Sequence, residues 1–122
     1  MIDPGDSNPA RPGPGTALCP LDDLADFGTR GFRFRVERSL FAGFVVRRGD
    51  GVTGYVDSCP HNGFPLSVLP DRYLTRERDF ILCSVHGALF SLDDGACAAG
   101  PCYGESLQPW PVEVVDGMIV TA

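Results

Sequence analysis

Apolar and charged residues alternate with a period of two in the stretch Phe-Arg-Phe-Arg-Val at positions 32–36. This period is typical of a strand that is buried on one face. We therefore expect Phe32, Phe34 and Val36 to face the core, and Arg33 and Arg35 to face water. The chain shows no long stretch with the apolar period of 3.6 residues that marks an amphipathic helix.

Two patterns predict β-hairpins. Apolar-rich segments at 44–48 and 52–56 flank Gly49-Asp50-Gly51, and segments at 112–115 and 118–120 flank Asp116-Gly117. Asp and Gly between apolar runs indicate a tight turn. Other short elements are expected as strands at 73–74, 80–82 and 88–91, and as a turn or a single helical turn at 20–24. Many short strands separated by Gly and Pro turns predict an all-β domain.

The first sixteen residues differ in composition from the rest of the chain. They contain four of the eleven prolines and almost no large apolar side chain. Such a segment buries too little surface to offset the entropy lost on ordering, so we expect a disordered tail at 1–16. The remaining residues, 17–122, are enough for one domain with a core.

Charge and hydropathy exclude two classes of partner. The formal net charge is −6, which argues against a nucleic-acid binder. No stretch approaches the roughly 18 apolar residues of a membrane span, and no signal-peptide pattern is recognised, so we expect a cytoplasmic protein. The five cysteines are an odd and unevenly spaced set, which favours metal binding over a disulfide framework.

The candidate site consists of two short loops that each contain one cysteine and one histidine. They are Cys59-Pro60-His61, which follows the first hairpin, and Cys83-Ser84-Val85-His86, which follows the strand expected at 80–82. The chain has only two histidines, and each lies within three residues of a cysteine. The candidate metal ligands are therefore Cys59, His61, Cys83 and His86.

Three occupants of such a site are possible. A single zinc ion accepts two cysteines and two histidines, and a [2Fe–2S] cluster accepts two cysteines on one iron and two histidines on the other. The residues could also be unmetallated parts of the core. Structural zinc sites usually pair cysteine with cysteine, whereas each loop here mixes the two ligand types. This mixing favours the cluster, because both loops must then reach both metals.

The sequence resembles the Rieske family, in particular the small Rieske-type ferredoxins. The resemblance lies in residues 59–63 (Cys-Pro-His-Asn-Gly) and 83–90 (Cys-Ser-Val-His-Gly-Ala-Leu-Phe), followed by Gly95 and Gly100-Pro101. It implies three stacked antiparallel sheets with a small cluster-binding subdomain. The ligand loops would lie at about 57–66 and 83–91, and a covering loop at about 95–103. One [2Fe–2S] cluster per chain would be bound by Cys59 and Cys83 on the inner iron and by His61 and His86 on the outer iron.

The resemblance also implies a function. We expect a one-electron carrier, not an enzyme, that accepts electrons from a flavin-dependent reductase and passes them to a terminal oxygenase. The protein would dock through the surface around His61 and His86, and 122 residues leave no room for a second catalytic domain. The alternatives are a small accessory subunit of a nitrite reductase-like complex and, more distantly, a zinc-stabilised structural domain.

Three positions bear on the reduction potential that the resemblance implies. The high-potential branch of the family has a disulfide between the ligand loops, and the corresponding residues here are Phe64 and Val85. That branch also has a serine hydroxyl where this chain has Ala88. We therefore expect a potential in the lower part of the range of ~ −150 to +300 mV that Rieske centres span.

The other three cysteines are not needed as ligands. Cys97 and Cys102 lie on either side of Gly100-Pro101 and could pair with each other, but a reducing compartment favours free thiols. Cys19 is expected to be a free thiol at the start of the domain.

Overall fold

The computed structural model describes residues 8–60, 66, 72–83, 87–100 and 104–122. Within these residues, nine strands form three antiparallel sheets of three, and the helical element is one 3₁₀ turn at Leu21–Asp23. The strands are β1 Ala17–Pro20, β2 Thr29–Val36, β3 Ser39–Arg48, β4 Gly51–Val56, β5 Phe80–Leu82, β6 Leu89–Ser91, β7 Cys97–Ala99, β8 Val112–Val115 and β9 Met118–Thr121. The prediction of an all-β fold is confirmed.

We refer to the sheets as the outer sheet (β1-β9-β8), the central sheet (β2-β3-β4) and the site sheet (β5-β6-β7). Successive side chains of a strand point to opposite faces of its sheet. In β3, Phe41 and Val45 belong to a core with residues of the outer sheet, whereas Phe44 and Val46 belong to a core with residues of the site sheet. The central sheet is therefore the middle layer of a three-sheet stack.

The outer core, between the outer and central sheets, is built around Trp110. The rings of Phe32 and Phe34 pack edge-on against its indole at centroid distances of 6.2 and 6.3 Å. Arg33 and Arg35 are exposed, as the alternation predicted. The prediction is wrong for Val36, which is 45% exposed, because it forms the last residue pair before the turn between β2 and β3.

Both predicted hairpins are present. Strands β3 and β4 pair up to Arg48 and Gly51 around the Gly49 turn, and β8 and β9 pair up to Val115 and Met118. At the second turn, Asp116 and Gly117 have φ angles of 51° and 77°. Two consecutive positive φ angles match the type I′ turn that Asp-Gly favours, so this turn follows directly from its local sequence.

Residues 8–16, which were expected to belong to a disordered tail at 1–16, make specific contacts with the rest of the domain. Asn8 and Ala10 are 4% and 3% exposed. The Asn8 amide donates a hydrogen bond to the Leu40 carbonyl at 3.1 Å, and the Thr16 N–H donates to the Thr121 hydroxyl at 2.8 Å. Hydrogen bonds to residues of β3 and β9 thus hold this segment, which has almost no large apolar side chain. Residues 1–7 lie outside the described residues.

The site sheet contains three strands of three residues each. The predicted strands at 80–82 and 88–91 are present as β5 and β6, whereas β7 was not predicted. Residues 104–110 connect this sheet to the central sheet: the Leu107 N–H donates to the Gly95 carbonyl and the Trp110 N–H donates to the Gly54 carbonyl, both at 2.9 Å. In the described part of the chain, no helix has the length and apolar character required to cross a bilayer.

Candidate metal centre

The first ligand loop begins where β4 ends. The N–H of Val56 donates to the Gln108 carbonyl and the N–H of Asp57 donates to the Ala42 carbonyl, both at 2.9 Å. These bonds fix the backbone two residues before Cys59, which has no exposed surface. The central sheet therefore determines where the first candidate thiolate lies.

The second ligand loop begins where β5 ends. Cys83 has no exposed surface either. Its N–H donates to the Ala88 carbonyl at 2.8 Å, and its carbonyl accepts from the Gly87 N–H at 2.9 Å. Gly87 has a φ of 74°, a left-handed conformation that glycine adopts without strain. Backbone hydrogen bonds therefore close this loop at its base.

The structure brings Cys59 and Cys83 into one core cluster between the central and site sheets. The other fully buried members of this cluster include Phe44, Leu66 and Phe90. His61 and His86 lie outside the described residues, and among the described residues no three His, Cys, Asp or Glu side chains gather into a metal site. The four-residue ligand set therefore stays a prediction, of which the structure describes the two cysteines.

The surroundings of the two cysteines fit the thiolate half of a Rieske-type ligand set. A thiolate is the form that binds a metal, and an apolar environment opposes its negative charge unless a metal or hydrogen-bond donors balance it. Two fully buried cysteines in the loops that follow β4 and β5 are therefore suited to iron that is shielded from water.

The segment predicted to cover the site lies against the second loop. Gly100 has a φ of 104°, and a methyl group at this position would be 2.7 Å from the Cα atom of Ala88. Ala88 itself is fully buried. The covering segment can approach so closely because Gly100 has no side chain.

The other described cysteines, Cys97 and Cys19, lie in different parts of the fold. Cys97 lies in β7, where its N–H donates to the Glu105 carbonyl at 2.8 Å and its thiol donates to the Ala99 carbonyl at 3.3 Å. Cys19 belongs to the outer core, on the other side of the central sheet from Cys59 and Cys83, and burial raises the pKa of its thiol. Cys102 lies outside the described residues.

Sequence reasoning did not identify a buried carboxylate beside the first loop. Asp57 is 3% exposed, and its Oδ1 accepts the Leu66 N–H at 2.8 Å while its Oδ2 accepts the Tyr73 hydroxyl at 3.2 Å. Burial raises the pKa of the Asp57 carboxyl, and the two hydrogen bonds act in the opposite direction. The only signal in the sequence was an acidic residue at the end of a strand and two positions before a candidate ligand.

The comparison with protein families gives one match. The model of the Rieske [2Fe-2S] domain matches residues 16–114, which is most of the chain. A search of curated proteins gave no match.

Solved structures share the fold. A chain from the complex of reduced oxygenase and oxidized ferredoxin in carbazole 1,9a-dioxygenase is 29% identical, with a TM-score of 0.66, and the match covers 87% of this chain and 90% of that one. The ferredoxin of carbazole 1,9a-dioxygenase from Nocardioides aromaticivorans IC177 is 25% identical, with a TM-score of 0.67 and coverages of 90% and 98%. A protein described as the small subunit of an NADPH nitrite reductase is 22% identical, with a TM-score of 0.59 and coverages of 88% and 96%. At this identity, the last match indicates a common fold alone.

Proposed function

The chain belongs to the Rieske [2Fe-2S] domain family, and we propose that it is a one-electron carrier, a Rieske-type ferredoxin. Membership in the family implies a Rieske-type [2Fe–2S] cluster. The observation that supports the proposal best is the burial of Cys59 and Cys83 in one core cluster, although they belong to two loops that follow different strands, β4 and β5. A carrier of this kind transfers electrons and does not itself convert a substrate.

We propose Cys59, Cys83, His61 and His86 as the ligands, with the two thiolates on the inner iron and the two imidazoles on the outer one. The bound cluster would supply reversible one-electron chemistry in the range of ~ −150 to +300 mV. The residues around the two cysteines exclude water, since Phe44, Leu66 and Phe90 are fully buried. This burial supports an electron path that leaves through the histidine side of the site.

The proposed partners are a flavin-dependent reductase and a terminal oxygenase. Support comes from the 29% identical chain in a complex of oxygenase and ferredoxin, and from the 25% identical ferredoxin of another carbazole 1,9a-dioxygenase. The net charge of −6 would steer the protein toward a basic patch on a partner. We place the carrier in the cytoplasm, where thiol ligands are kept reduced.

The second candidate is a small accessory subunit of a nitrite reductase-like complex. The 22% identical nitrite reductase subunit shares the fold and is matched over nearly its whole length. The higher identity of the two ferredoxin-system chains favours the carrier. A zinc-stabilised structural domain would need the same four side chains but would take up no electron.

The spectroscopic test uses the purified protein before and after reduction with dithionite. We expect a reddish oxidised form, and a reduced form with a rhombic paramagnetic resonance signal of low average g. A colourless protein that holds zinc would overturn the proposal in favour of a structural domain. A protein that stays colourless and metal-free after anaerobic reconstitution with iron and sulfide would overturn both the electron carrier and the zinc-stabilised domain.

A kinetic test addresses the partners. The reduced protein is mixed in a stopped-flow instrument with an oxidised terminal oxygenase of the carbazole dioxygenase type, or with the large subunit of a nitrite reductase. We expect reoxidation by the oxygenase to be faster. Faster reoxidation by the nitrite reductase subunit would favour the second candidate.

A further inference from the structure

We infer that Asp57 is a positioning residue that holds the bases of the two ligand loops together. The inference rests on the proposed ligand role of Cys59 and Cys83. It concerns the group formed by Asp57, Leu66 and Tyr73, which we call the carboxylate clasp. None of the three residues is itself a proposed ligand.

The first half of the clasp closes the first ligand loop. The backbone N–H of Asp57 is bound to the Ala42 carbonyl of the central sheet, so the carboxylate starts from a fixed point. Its Oδ1 accepts the N–H of Leu66, nine residues further along the chain, at 2.8 Å. The chain between these two positions contains Cys59 and His61. One side-chain hydrogen bond therefore joins the beginning and the end of the segment that carries two proposed ligands.

The second half of the clasp reaches the second ligand loop. The Tyr73 hydroxyl donates to Oδ2 of Asp57 at 3.2 Å, and the Tyr73 carbonyl accepts the N–H of Leu82 at 2.9 Å. Leu82 directly precedes Cys83. Tyr73 therefore contacts both loop bases, one with its side chain and the other with its backbone.

The position of Tyr73 is itself well determined. Its ring stacks on Phe44 of the central sheet, with a centroid distance of 4.2 Å and an interplanar angle of 3°. Its hydroxyl lies directly over Gly31 of β2, where any side chain would collide with it. The absence of a side chain at Gly31 thus makes room for the hydroxyl that binds Asp57.

The cost of burying Asp57 argues for a role other than stability. Asp57 is the one acidic residue that is buried among those described. A buried carboxylate loses its hydration, and apolar residues of similar size often stabilise a fold as well or better. Two directed hydrogen bonds from different parts of the chain provide geometry that an apolar side chain does not. The position of this carboxylate, two residues before Cys59, is where such geometry affects a metal ligand.

The experiment compares Asp57→Ala with Asp57→Asn in the iron-loaded protein. Asparagine can still accept the Leu66 N–H through its oxygen, whereas alanine cannot. We measure the visible spectrum, the iron content and the rate at which an iron chelator bleaches the protein at neutral pH. Asp57→Ala should lose iron at least about tenfold faster than the wild type, and Asp57→Asn should restore most of the retention. Tyr73→Phe removes one hydrogen bond to Asp57, so its bleaching rate should lie between those of Asp57→Asn and Asp57→Ala.

Ile119→Ala is the control for a general loss of stability. Ile119 is fully buried in the outer core, away from the clasp, so this variant should lower the unfolding temperature and leave the bleaching rate nearly unchanged. The inference is overturned if Asp57→Ala bleaches at the wild-type rate, if Asp57→Asn bleaches as fast as Asp57→Ala, or if Ile119→Ala has the same effect on bleaching. A wild-type protein that binds no iron would instead overturn the ligand assignment, and the positioning role with it. If Asp57→Ala does not fold, the bleaching rates of Asp57→Asn and Tyr73→Phe are compared with that of the wild type. Faster bleaching of Tyr73→Phe than of the other two supports the inference, and equal rates overturn it.

Discussion

The two cores on either side of the central sheet are built differently. The central sheet faces both cores, so the difference lies in what packs against it. The outer core is closed by three strands of four residues each and is filled by aromatic rings that contact one another around Trp110. The site core lies under three strands of three residues each and includes both proposed thiolate ligands, Cys59 and Cys83. The outer core is thus centred on aromatic rings packed around Trp110, whereas the site core has the two proposed thiolate ligands among its apolar side chains.

This difference indicates what each half of the molecule depends on, where the site half is the site sheet with the two ligand loops and the outer half is the outer and central sheets. The aromatic side chains packed around Trp110 bury a large apolar surface, which stabilises the outer core without any ligand. The site sheet has strands of only three residues, and single hydrogen bonds, such as those of Asp57 and Cys83, close the ligand loops beside it. These loops gain less from packing alone. Metal binding contributes to folding where the ligands come together only in the folded state. We therefore expect the site half to depend on the cluster and the outer half to be largely independent of it.

Removing a ligand should have the largest effect. Cys59→Ser should abolish cluster binding, because a serine hydroxyl is a much poorer ligand for iron than a thiolate. The outer half should stay folded, which can be followed by the fluorescence of Trp110, the only tryptophan of the chain. The measurements are iron content, the visible spectrum and fluorescence-detected unfolding.

Cys19→Ser is the matched control, since Cys19 is also buried but lies in the outer core. This variant should bind a normal amount of iron. Full iron content in Cys59→Ser would show that Cys59 is not a ligand. Loss of the Trp110 signal together with the iron would show that the two halves do not differ in their dependence on the cluster.

The converse change is made in the outer core. Gly43 lies in β3 directly against the Trp110 ring, and a methyl group there would overlap the indole. Gly43→Ala should therefore lower the free energy of unfolding by about 3 kcal/mol, the upper part of the usual range for overpacking. The spectrum of the bound cluster should change little, because the strain arises on the other side of the central sheet.

Gly13→Ala serves as the control, because no atom lies within 4 Å of a methyl group at that position. Denaturant unfolding followed by Trp110 fluorescence measures both variants. A normal unfolding midpoint for Gly43→Ala would contradict the close packing of the outer core. A strongly altered cluster spectrum would show that the two cores are coupled through the central sheet.

The outer half was the more predictable from sequence, for a physical reason. The alternation at 32–36 and the Asp116-Gly117 turn are local signals, and each determines its own element. The site was predictable in a different way. Cys59 and Cys83 were identified by their chemistry and spacing, and the structure describes both in one buried cluster.

The features that sequence analysis missed depend on contacts between distant residues. The bond from Tyr73 to Asp57 joins residues sixteen positions apart, and the bond from Asn8 to Leu40 joins residues thirty-two apart. Neither contact follows from a periodic pattern or a turn signal. Strand β7 was missed because two of its three residues are alanines, which have weak strand propensity.

A smaller effect, on the pH dependence of stability, is expected from Tyr55, whose side chain lies between the central sheet and the site sheet. Tyr55 is 2% exposed, and its hydroxyl donates to the Leu92 carbonyl at 3.0 Å. Burial raises the pKa of Tyr55 from 10 to about 12, with smaller contributions from the nearby carboxylates of Asp94 and Asp93. The folded state therefore holds this proton at a pH where the unfolded chain has already released it.

The sign of the pH dependence follows from that difference. Tyr55 stabilises the fold fully below pH 10, and this stabilisation is lost as the pH rises from 10 through about 12. The wild type should lose on the order of 2 kcal/mol in this interval, and Tyr55→Phe should lose much less. Unfolding measured between pH 8 and 12 tests this. Parallel curves for the two proteins would show that Tyr55 does not cause the alkaline loss.

The smallest expected effect is on the reduction potential and involves Ala88. Ala88 is fully buried between the Cys83 loop and Gly100, and its carbonyl accepts the Cys83 N–H at 2.8 Å. Ala88→Ser places a hydroxyl beside the site, where it can donate to cluster sulfur. Such a bond favours the reduced form, which carries more negative charge. A bond that strengthens by about 1 kcal/mol on reduction raises the potential by roughly 40 mV for one electron.

The control makes the same substitution at Ala99, an exposed residue at the end of β7. Potentials are measured by redox titration of the visible spectrum, and Ala99→Ser should match the wild type. An upward shift in Ala88→Ser alone would show that the buried site core controls the cluster through individual hydrogen bonds. An unchanged potential in a variant with full iron content would place the Ala88 side chain too far from the sulfur, and the low potential expected for this chain would then need another cause.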